Sequence, residues 1–384
     1  MQTIRTLVLA GAALAALPAI AAAAGLMVSA SDGKLAMVDG TYKVLEQPEP
    51  DTLVVIDASS FPPKATGQVE LQHSVTAPPT AVALSPDEKL ALVSAPNHVD
   101  PKDKGKVAVD KFLQVVDLEA SPPKVVQKLE LAHQPIGVSF NKAGTLALAA
   151  HFEGTVSVLA VSGKKVELVE TVQLGDDKSR LSTPIFTPDG KAVLVSKRGE
   201  DTVAVLAVDG RKVTYAKRDI TVGNNPYAMD VSGDGKLAAV ANIGRGSGDA
   251  DSVTLIDISK QPFRAVGVFP VGQTPEGLGF SPDGQLLVVS CIDGTNKAKD
   301  SPFRAESGKL MLFAIQDGKA QNLGEAPTGH NAQGAVFTPD GKHVIVQNYV
   351  EKELAVYRVS GVGIEKTEAK IPIPGFPASL RRAP

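Results

Sequence analysis

The side chains able to do chemistry are few and scattered. The 384-residue chain has one cysteine, Cys291, and six histidines. A single cysteine excludes an intrachain disulfide, a four-cysteine zinc site and a CxxCH haem attachment. His73, His98, His133, His151 and His330 fall in segments between apolar runs, and His343 opens one. Histidine titrates near neutrality and ligates metals, but no HExxH or other close spacing gathers these six. The expected metal and cofactor sets are therefore empty, with a divalent metal as the open alternative. Arg180, Lys197, Arg198 and Arg245 form a basic set. Fork-shaped guanidinium groups favour carboxylate or phosphate ligands, and a solvated charged rim is the plainer reading. Several motifs fail. The stretch Asp230 to Gly235 opens like a calcium loop, but its twelfth position is Ala241 rather than Glu. No GxxxxGK[ST] loop and no GxSxG elbow is present. Cys291 closes an apolar run and reads as a small buried hydrophobe rather than a nucleophile.

The elements that must position these residues repeat. A turn recurs as Ser-Pro-Asp-Glu (85–88), Asn-Lys-Ala-Gly (141–144), Thr-Pro-Asp-Gly (187–190), Ser-Gly-Asp-Gly (232–235), Ser-Pro-Asp-Gly (281–284) and Thr-Pro-Asp-Gly (338–341). Ala30-Ser31-Asp32-Gly33 reads as a seventh, degenerate copy. The fourth turn position falls at 33, 88, 144, 190, 235, 284 and 341. Pro presets the turn, Asp hydrogen-bonds its own backbone, and Gly takes positive φ. Each turn is followed by a short apolar run (35–38, 90–94, 146–150, 192–196, 237–241, 286–290, 344–347) and then by a second one. A more polar third run and a fourth lead into the next turn. With the fourth run named A and the others B, C and D, runs B and C are apolar at nearly every position, as strands buried on both faces are.

Seven copies of four short antiparallel strands predict an all-β chain: a single seven-bladed β-propeller with four antiparallel strands per blade. Blades bury both faces against neighbours, so residues 25–384 fit one domain despite their length. The C-terminal segment 377–380 is expected to supply strand A of blade 1, with 25–30 as the alternative. The absence of Trp excludes the Trp-Asp pairs of WD repeats and the tryptophan docking of eight-bladed quinoprotein dehydrogenases.

The stretches Gln273-Thr274-Pro275-Glu276-Gly277-Leu278-Gly279-Phe280-Ser281-Pro282-Asp283-Gly284 and Asp201-Thr202-Val203-Ala204-Val205-Leu206 resemble the YVTN-repeat, lactonase-like seven-bladed propellers, and the resemblance covers essentially all of residues 25–384. It implies lactone hydrolysis of the 6-phosphogluconolactonase type. Members of that family carry an Arg-His pair after a Pro at the start of an A strand. The equivalent here is Pro226-Tyr227-Ala228, so both residues are absent.

The propeller topology puts the D–A and B–C connections on one rim and the short A–B turns on the other. The B–C connections 39–51, 95–111, 242–251 and 291–308 are long and varied, which marks that rim for function. The start of strand A lines the mouth of the channel. One position per blade gives Thr80, Ile136, Ser182, Tyr227, Glu276 and Gln333, and two residues earlier stand Pro78, Gln134, Arg180, Asn225, Thr274 and Asn331. The ligand-binding candidates are Tyr227, Asn225, Glu276, Asn331, Gln333, Arg180, Arg198, Asn242 and Arg245. For an enzyme, the catalytic candidates are Glu276 as base with Arg245 or His330 as electrophile.

Charge is nearly balanced, 39 Lys and Arg against 42 Asp and Glu, which excludes the basic excess of a nucleic-acid binder. Residues 1–24 read as a secretory signal, with Arg5, an apolar run and Ala22-Ala23-Ala24 before Gly25. The remainder is expected outside the cytoplasm, in a bacterial periplasm, with no membrane insertion after cleavage. Three functions follow: a scaffold binding a protein or a small anionic or polar ligand at the D–A/B–C rim, a lactone hydrolase with a rebuilt site, or a propeller subunit of a periplasmic redox complex.

Overall fold

A computed structural model describes residues 25–384; the expected signal segment, 1–24, lies outside the described residues. The strands form seven four-stranded antiparallel sheets and one two-stranded hairpin. No helix is formed among the described residues, so the chain is all-β, as the repeat predicts. In each blade strand A is innermost. Blade 2 runs Val82–Leu84, Leu90–Val99, Val107–Asp117 and Lys124–Glu130; blade 5 runs Pro226–Val231, Leu237–Asn242, Ser252–Asp257 and Arg264–Pro270; blade 6 runs Pro275–Phe280, Leu286–Cys291, Gly308–Gln316 and Lys319–Thr328.

The sequence pattern dictates this layering. Strands B are buried at nearly every residue, as in Leu146–His151 and Ala192–Lys197, whereas the outermost strand Lys124–Glu130 alternates exposed and half-buried. The core lies between blades. Leu255 of blade 5 packs in one cluster with Phe280, Leu287 and Val289 of blade 6, and Ala239 and Ala241 let those sheets approach closely. Each fully buried Val, Leu or Phe contributes about 1.5–3 kcal/mol relative to exposure, so a core of small side chains stabilises by number rather than size.

The A–B turns share one geometry. In five of them a hydroxyl (Ser85, Thr187, Ser232, Ser281, Thr338) donates to the Asp two residues on at 2.6–2.7 Å. The same carboxylates accept the backbone N–H two residues further on. Gly144, Gly190, Gly235, Gly284 and Gly341 sit at φ between 68° and 72°.

Blade 1 departs from the sequence reading. Residues 30–33 do not form a seventh A–B turn. Leu26–Asp32 is strand B, Asp51–Asp57 strand C and Lys64–Leu71 strand D, while Phe376–Arg382 supplies strand A. The C-terminal segment thus closes the ring, and the N-terminal one pairs beside it, Met27 opposite Arg382. Leu35–Val38 pairs only with Thr41–Val44, forming an inserted hairpin. The physical reason is that Gly33 lacks the positive φ of the true turns, and Asp32 is a hub rather than a turn cap. Its carboxylate accepts the N–H of Lys34, Leu35 and Val75 and the Ser74 hydroxyl. Lys34 Nζ reaches Asp51 at 2.8 Å and also donates to the His73 carbonyl. This buried cluster roots the hairpin at the loop rim. The expected loop 95–111 is largely strand as well, with Asn97, His98 and Val99 paired to Val109, Ala108 and Val107.

Candidate functional site

The channel mouth is built from the first residues of the A strands. The residue two before the mouth position lies in the left-handed region in four consecutive blades: Arg180 (φ 46°), Asn225 (58°), Thr274 (52°) and Asn331 (54°). That bend turns the chain from the rim into the channel. The position after the mouth residue is small because the strands crowd: a Cβ on Gly137 would lie 2.3 Å from the Ser182 carbonyl oxygen, and one on Gly277 2.6 Å from that of Gln333. Thr80 and Thr183 hydroxyls meet at 2.7 Å past blade 3.

One side of this mouth gathers polar groups. Glu276 is buried beside Tyr227, whose hydroxyl donates toward its carboxyl, and near the Arg198 guanidinium. Burial pushes the Glu276 carboxyl up from 4.5 to about 7, against the lowering effect of Arg198 and Tyr227. Burial, and then the Glu276 charge, raise the Tyr227 hydroxyl well above its ordinary value. Arg198 lies over the Tyr227 ring at 4.6 Å, and its Nε donates to Asn225 Oδ1 at 2.8 Å. Asn225 is fixed in turn: its Nδ2 donates to the Gly244 carbonyl, and its N–H to Asp201. The Arg198 fork therefore arrives braced by an amide and a ring, which limits the entropy lost on meeting an anionic group.

The inserted hairpin completes the site. Tyr42, from Thr41–Val44, accepts from Asn331 Nδ2 at 2.8 Å and lies close enough to Glu276 to feel its charge. The hairpin tip touches the long connection of blade 6, where Asp39 accepts the Lys299 N–H at 2.8 Å, and its base is held by the Tyr349 hydroxyl on the Leu35 carbonyl at 2.6 Å. Gln333 donates to the Asn331 carbonyl at 3.1 Å, and its Oε1 is buried without a partner. A buried amide oxygen left unpaired costs on the order of 1–3 kcal/mol and is a ready acceptor for a ligand hydroxyl.

The sequence candidates thus divide. Tyr227, Glu276, Asn225, Arg198, Asn331 and Gln333 come together. Arg245 does not: it is 61% exposed and pairs with Asp201 at 3.2 Å. His330 turns to Glu351, Nδ1 to Oε1 at 2.6 Å. Arg180 lies over the Phe152 ring, and Asn242 is buried between strands, donating to Ser252 and Thr254. Lys197 is buried between Asp219 and Glu200. Three further histidines are also committed: His73 to Ser94 and Ser379, His151 to Ser157, and His98 to Asp110. Among the described residues no three His, Cys, Asp or Glu side chains form a metal-holding group. Cys291 is buried, and burial raises its thiol pKa. Tyr42 was not foreseen, because it enters from an insert outside the repeat.

The other end of the channel differs. A cavity of about 440 Å³ there is walled by the ends of the A strands, including Val138, Ile185 and Phe280, with Arg381 and Arg382 at its edge. Arg381 donates to the Met229 carbonyl and lies 4.0 Å from Asp230, while Arg382 donates to the Phe280 carbonyl.

Comparison with known proteins agrees with this architecture. The family model described as lactonase, seven-bladed β-propeller, matches residues 164–244. Among solved structures, a candidate 6-phosphogluconolactonase from Bacteroides uniformis superposes with a TM-score of 0.69 at 17% identity, over 93% of this chain and 98% of that one. The periplasmic gluconolactonase of Pseudomonas aeruginosa gives 0.64 at 18%, over 92% and 98%. Hydrazine synthase of Kuenenia stuttgartiensis gives 0.59 at 18%, over 76% and 79%. At these identities the likeness is one of fold. No curated protein sequence matches the chain. The chain is a seven-bladed β-propeller, similar in fold to the lactonase-like propellers.

Proposed function

We propose that this is an extracytoplasmic propeller that binds a small polar ligand at its loop-rim mouth, a hydroxyl-rich molecule with one anionic group such as a sugar acid. The observation that carries this reading is the buried Glu276 carboxyl held between Tyr227 and Arg198. Arg198 offers a braced fork for a carboxylate or phosphate. Glu276 accepts from hydroxyls when ionised and donates when protonated, and the Gln333 oxygen supplies another acceptor. The likeness to a periplasmic gluconolactonase supports both the location and the ligand class. Calorimetric titration with sugar acids, their phosphates and their lactones tests it. Binding weakened at least tenfold by Arg198→Gln and by Glu276→Gln is the expected result. If none of these compounds binds, the rim's occupant is a protein instead.

A second reading is lactone hydrolysis at the same place, favoured by the Glu276 pKa of about 7, which suits a general base. Glu276 would take a proton from water, the hydroxide would add to the lactone carbonyl, and Arg198 would hold the oxyanion until the ring oxygen leaves with that proton. Arg245 and His330 play no part in this scheme. The check is kcat/KM for sugar lactones, rising with pH through about 7 and lost in Glu276→Gln. Hydrolysis unchanged by that substitution removes Glu276 as the base.

A further inference from the structure

The repeated A–B turns contain one anomaly, and it lies against the first described residue. Five turns place Gly at the fourth position with φ between 68° and 72°. Blade 2 places Glu88 there, at φ 58°, in a region that an L side chain occupies only under strain. Glu88 is also buried, 7% exposed, and no lysine or arginine pairs with its carboxylate among the described residues. Its two oxygens instead accept from the nitrogens that lead into strand B of blade 1: Gly25 N at 3.2 Å and Leu26 N at 3.1 Å. Gly25 is buried too. Its carbonyl accepts the Ala58 N–H at 2.9 Å, and its own φ is 88°, with the backbone of Ser59 3.0 Å from where a Cβ would stand.

A buried carboxylate without a cation is costly, and it needs a positive partner. The position of that partner is already marked. The sequence expects a leader to be cut between Ala24 and Gly25, and cutting there turns the Gly25 nitrogen into an ammonium. We propose that Ala24–Gly25 is the processing site and that Glu88 is the receptor for the new N-terminus. Hydrolysis of the peptide bond adds water across it: the carboxylate leaves with Ala24, and the ammonium stays on Gly25 within hydrogen-bonding distance of Glu88. The ion pair then ties blade 1 to blade 2 at the seam where the ring closes. Removal of the leader therefore stabilises the propeller as well as releasing it. The inference stands apart from the ligand reading, because its measurements are the N-terminus and thermal stability.

The full chain is expressed with export, and the purified protein is examined by intact mass and N-terminal sequencing. The expected N-terminus is Gly25; any other start overturns the proposal. Tm is then compared for this protein, Glu88→Gln and Glu88→Gly. Glu88→Gly restores the repeat's own turn residue, so folding is not at risk, and if Glu88 were only a turn variant Tm would stay or rise. A fall of about 2–4 °C in both variants is expected. A third arm retains Ala22-Ala23-Ala24 ahead of Gly25, so that the Gly25 nitrogen stays an amide. The Glu88→Gln penalty should shrink at least twofold there, and in the processed protein it should fade as pH rises above about 8, where α-amino groups lose their charge. Equal penalties in the processed and extended chains would show that Glu88 reads amides rather than the ammonium, and would overturn the proposal.

Discussion

The two rims of the propeller are built from the same strands and follow opposite rules. On the turn rim, five blades repeat a hydroxyl–carboxylate pair at 2.6–2.7 Å, and four of these also carry a left-handed glycine at the fourth turn position. On the loop rim, the equivalent mouth positions read Thr80, Ile136, Ser182, Tyr227, Glu276 and Gln333, no two alike. Repetition on one rim specifies how the chain folds back, while divergence on the other concentrates buried charge and unpaired polar atoms. The difference teaches where stability and chemistry are separable. Substitutions on the turn rim should have small and equal effects, whereas those of the buried charged groups on the loop rim should be large or pH-dependent, and those of its exposed pairs smaller still.

The largest effect should come from Lys34, which is 4% exposed and joins Asp32 and Asp51 at the hairpin root. Lys34→Met leaves two buried carboxylates without their cation and should cost about 3–5 kcal/mol in urea unfolding. A loss below about 1 kcal/mol would mean that the cluster is held by its N–H donors alone. Next comes acid. Burial lowers His73 and His151 from 6.5 to about 4 each. Between these values the unfolded chain binds the extra proton, so stability is intact above about pH 6.5 and is lost as pH falls toward 4, by up to about 3 kcal/mol per residue. A Tm–pH profile checks this, and His151→Asn should remove one share of the slope.

Glu276 has the opposite sign. Its folded pKa exceeds the unfolded one, so the folded state binds the extra proton and stability declines from about pH 4.5 to about 7. Glu276→Gln should therefore gain stability above pH 7, by about 2–3 kcal/mol at most, and change little below pH 4.5. A stabilised variant that has lost its ligand would be the signature of a site that costs the fold energy. On the turn rim, Asp189→Ala and Asp283→Ala should each cost about 1 kcal/mol, and their agreement matters more than their size. Unequal values would break the claim that the turns are energetically interchangeable. Smallest of all, Arg245→Gln removes an exposed pair with Asp201 and should change stability by less than about 0.5 kcal/mol.

What the sequence revealed follows the same division. The Pro-Asp-Gly turns and doubly apolar strands B and C gave away the blade number, because local turn chemistry and burial both leave periodic marks. Aligning back from those turns also located Tyr227, Glu276, Asn225, Asn331 and Gln333, since a position in one A strand predicts its counterpart in the next. Alignment could not say where a long side chain ends. Arg198 reaches the mouth and Arg245, from a neighbouring loop, stops at Asp201. Residues 30–33 of blade 1 mislead, because Asp32-Gly33 copies the turn's letters while its carboxylate serves residues 34, 35, 74 and 75. Tyr42 stays hidden in the sequence, because an insert has no counterpart in the repeat to align with.

The pairing of Met27 with Arg382 has a consequence in time. A chain made from its N-terminus delivers strand B of blade 1 first and the strand that flanks it last. Six blades can form in order as they emerge, each from neighbouring sequence. The first blade must wait with its inner edge open until the final residues arrive, which makes it the slow and vulnerable step of assembly. An open edge is also a template for the wrong partner. Premature termination within the last strand would thus leave a nearly complete ring that lacks only its seam, and such a product would fail by association with other chains rather than by simple unfolding.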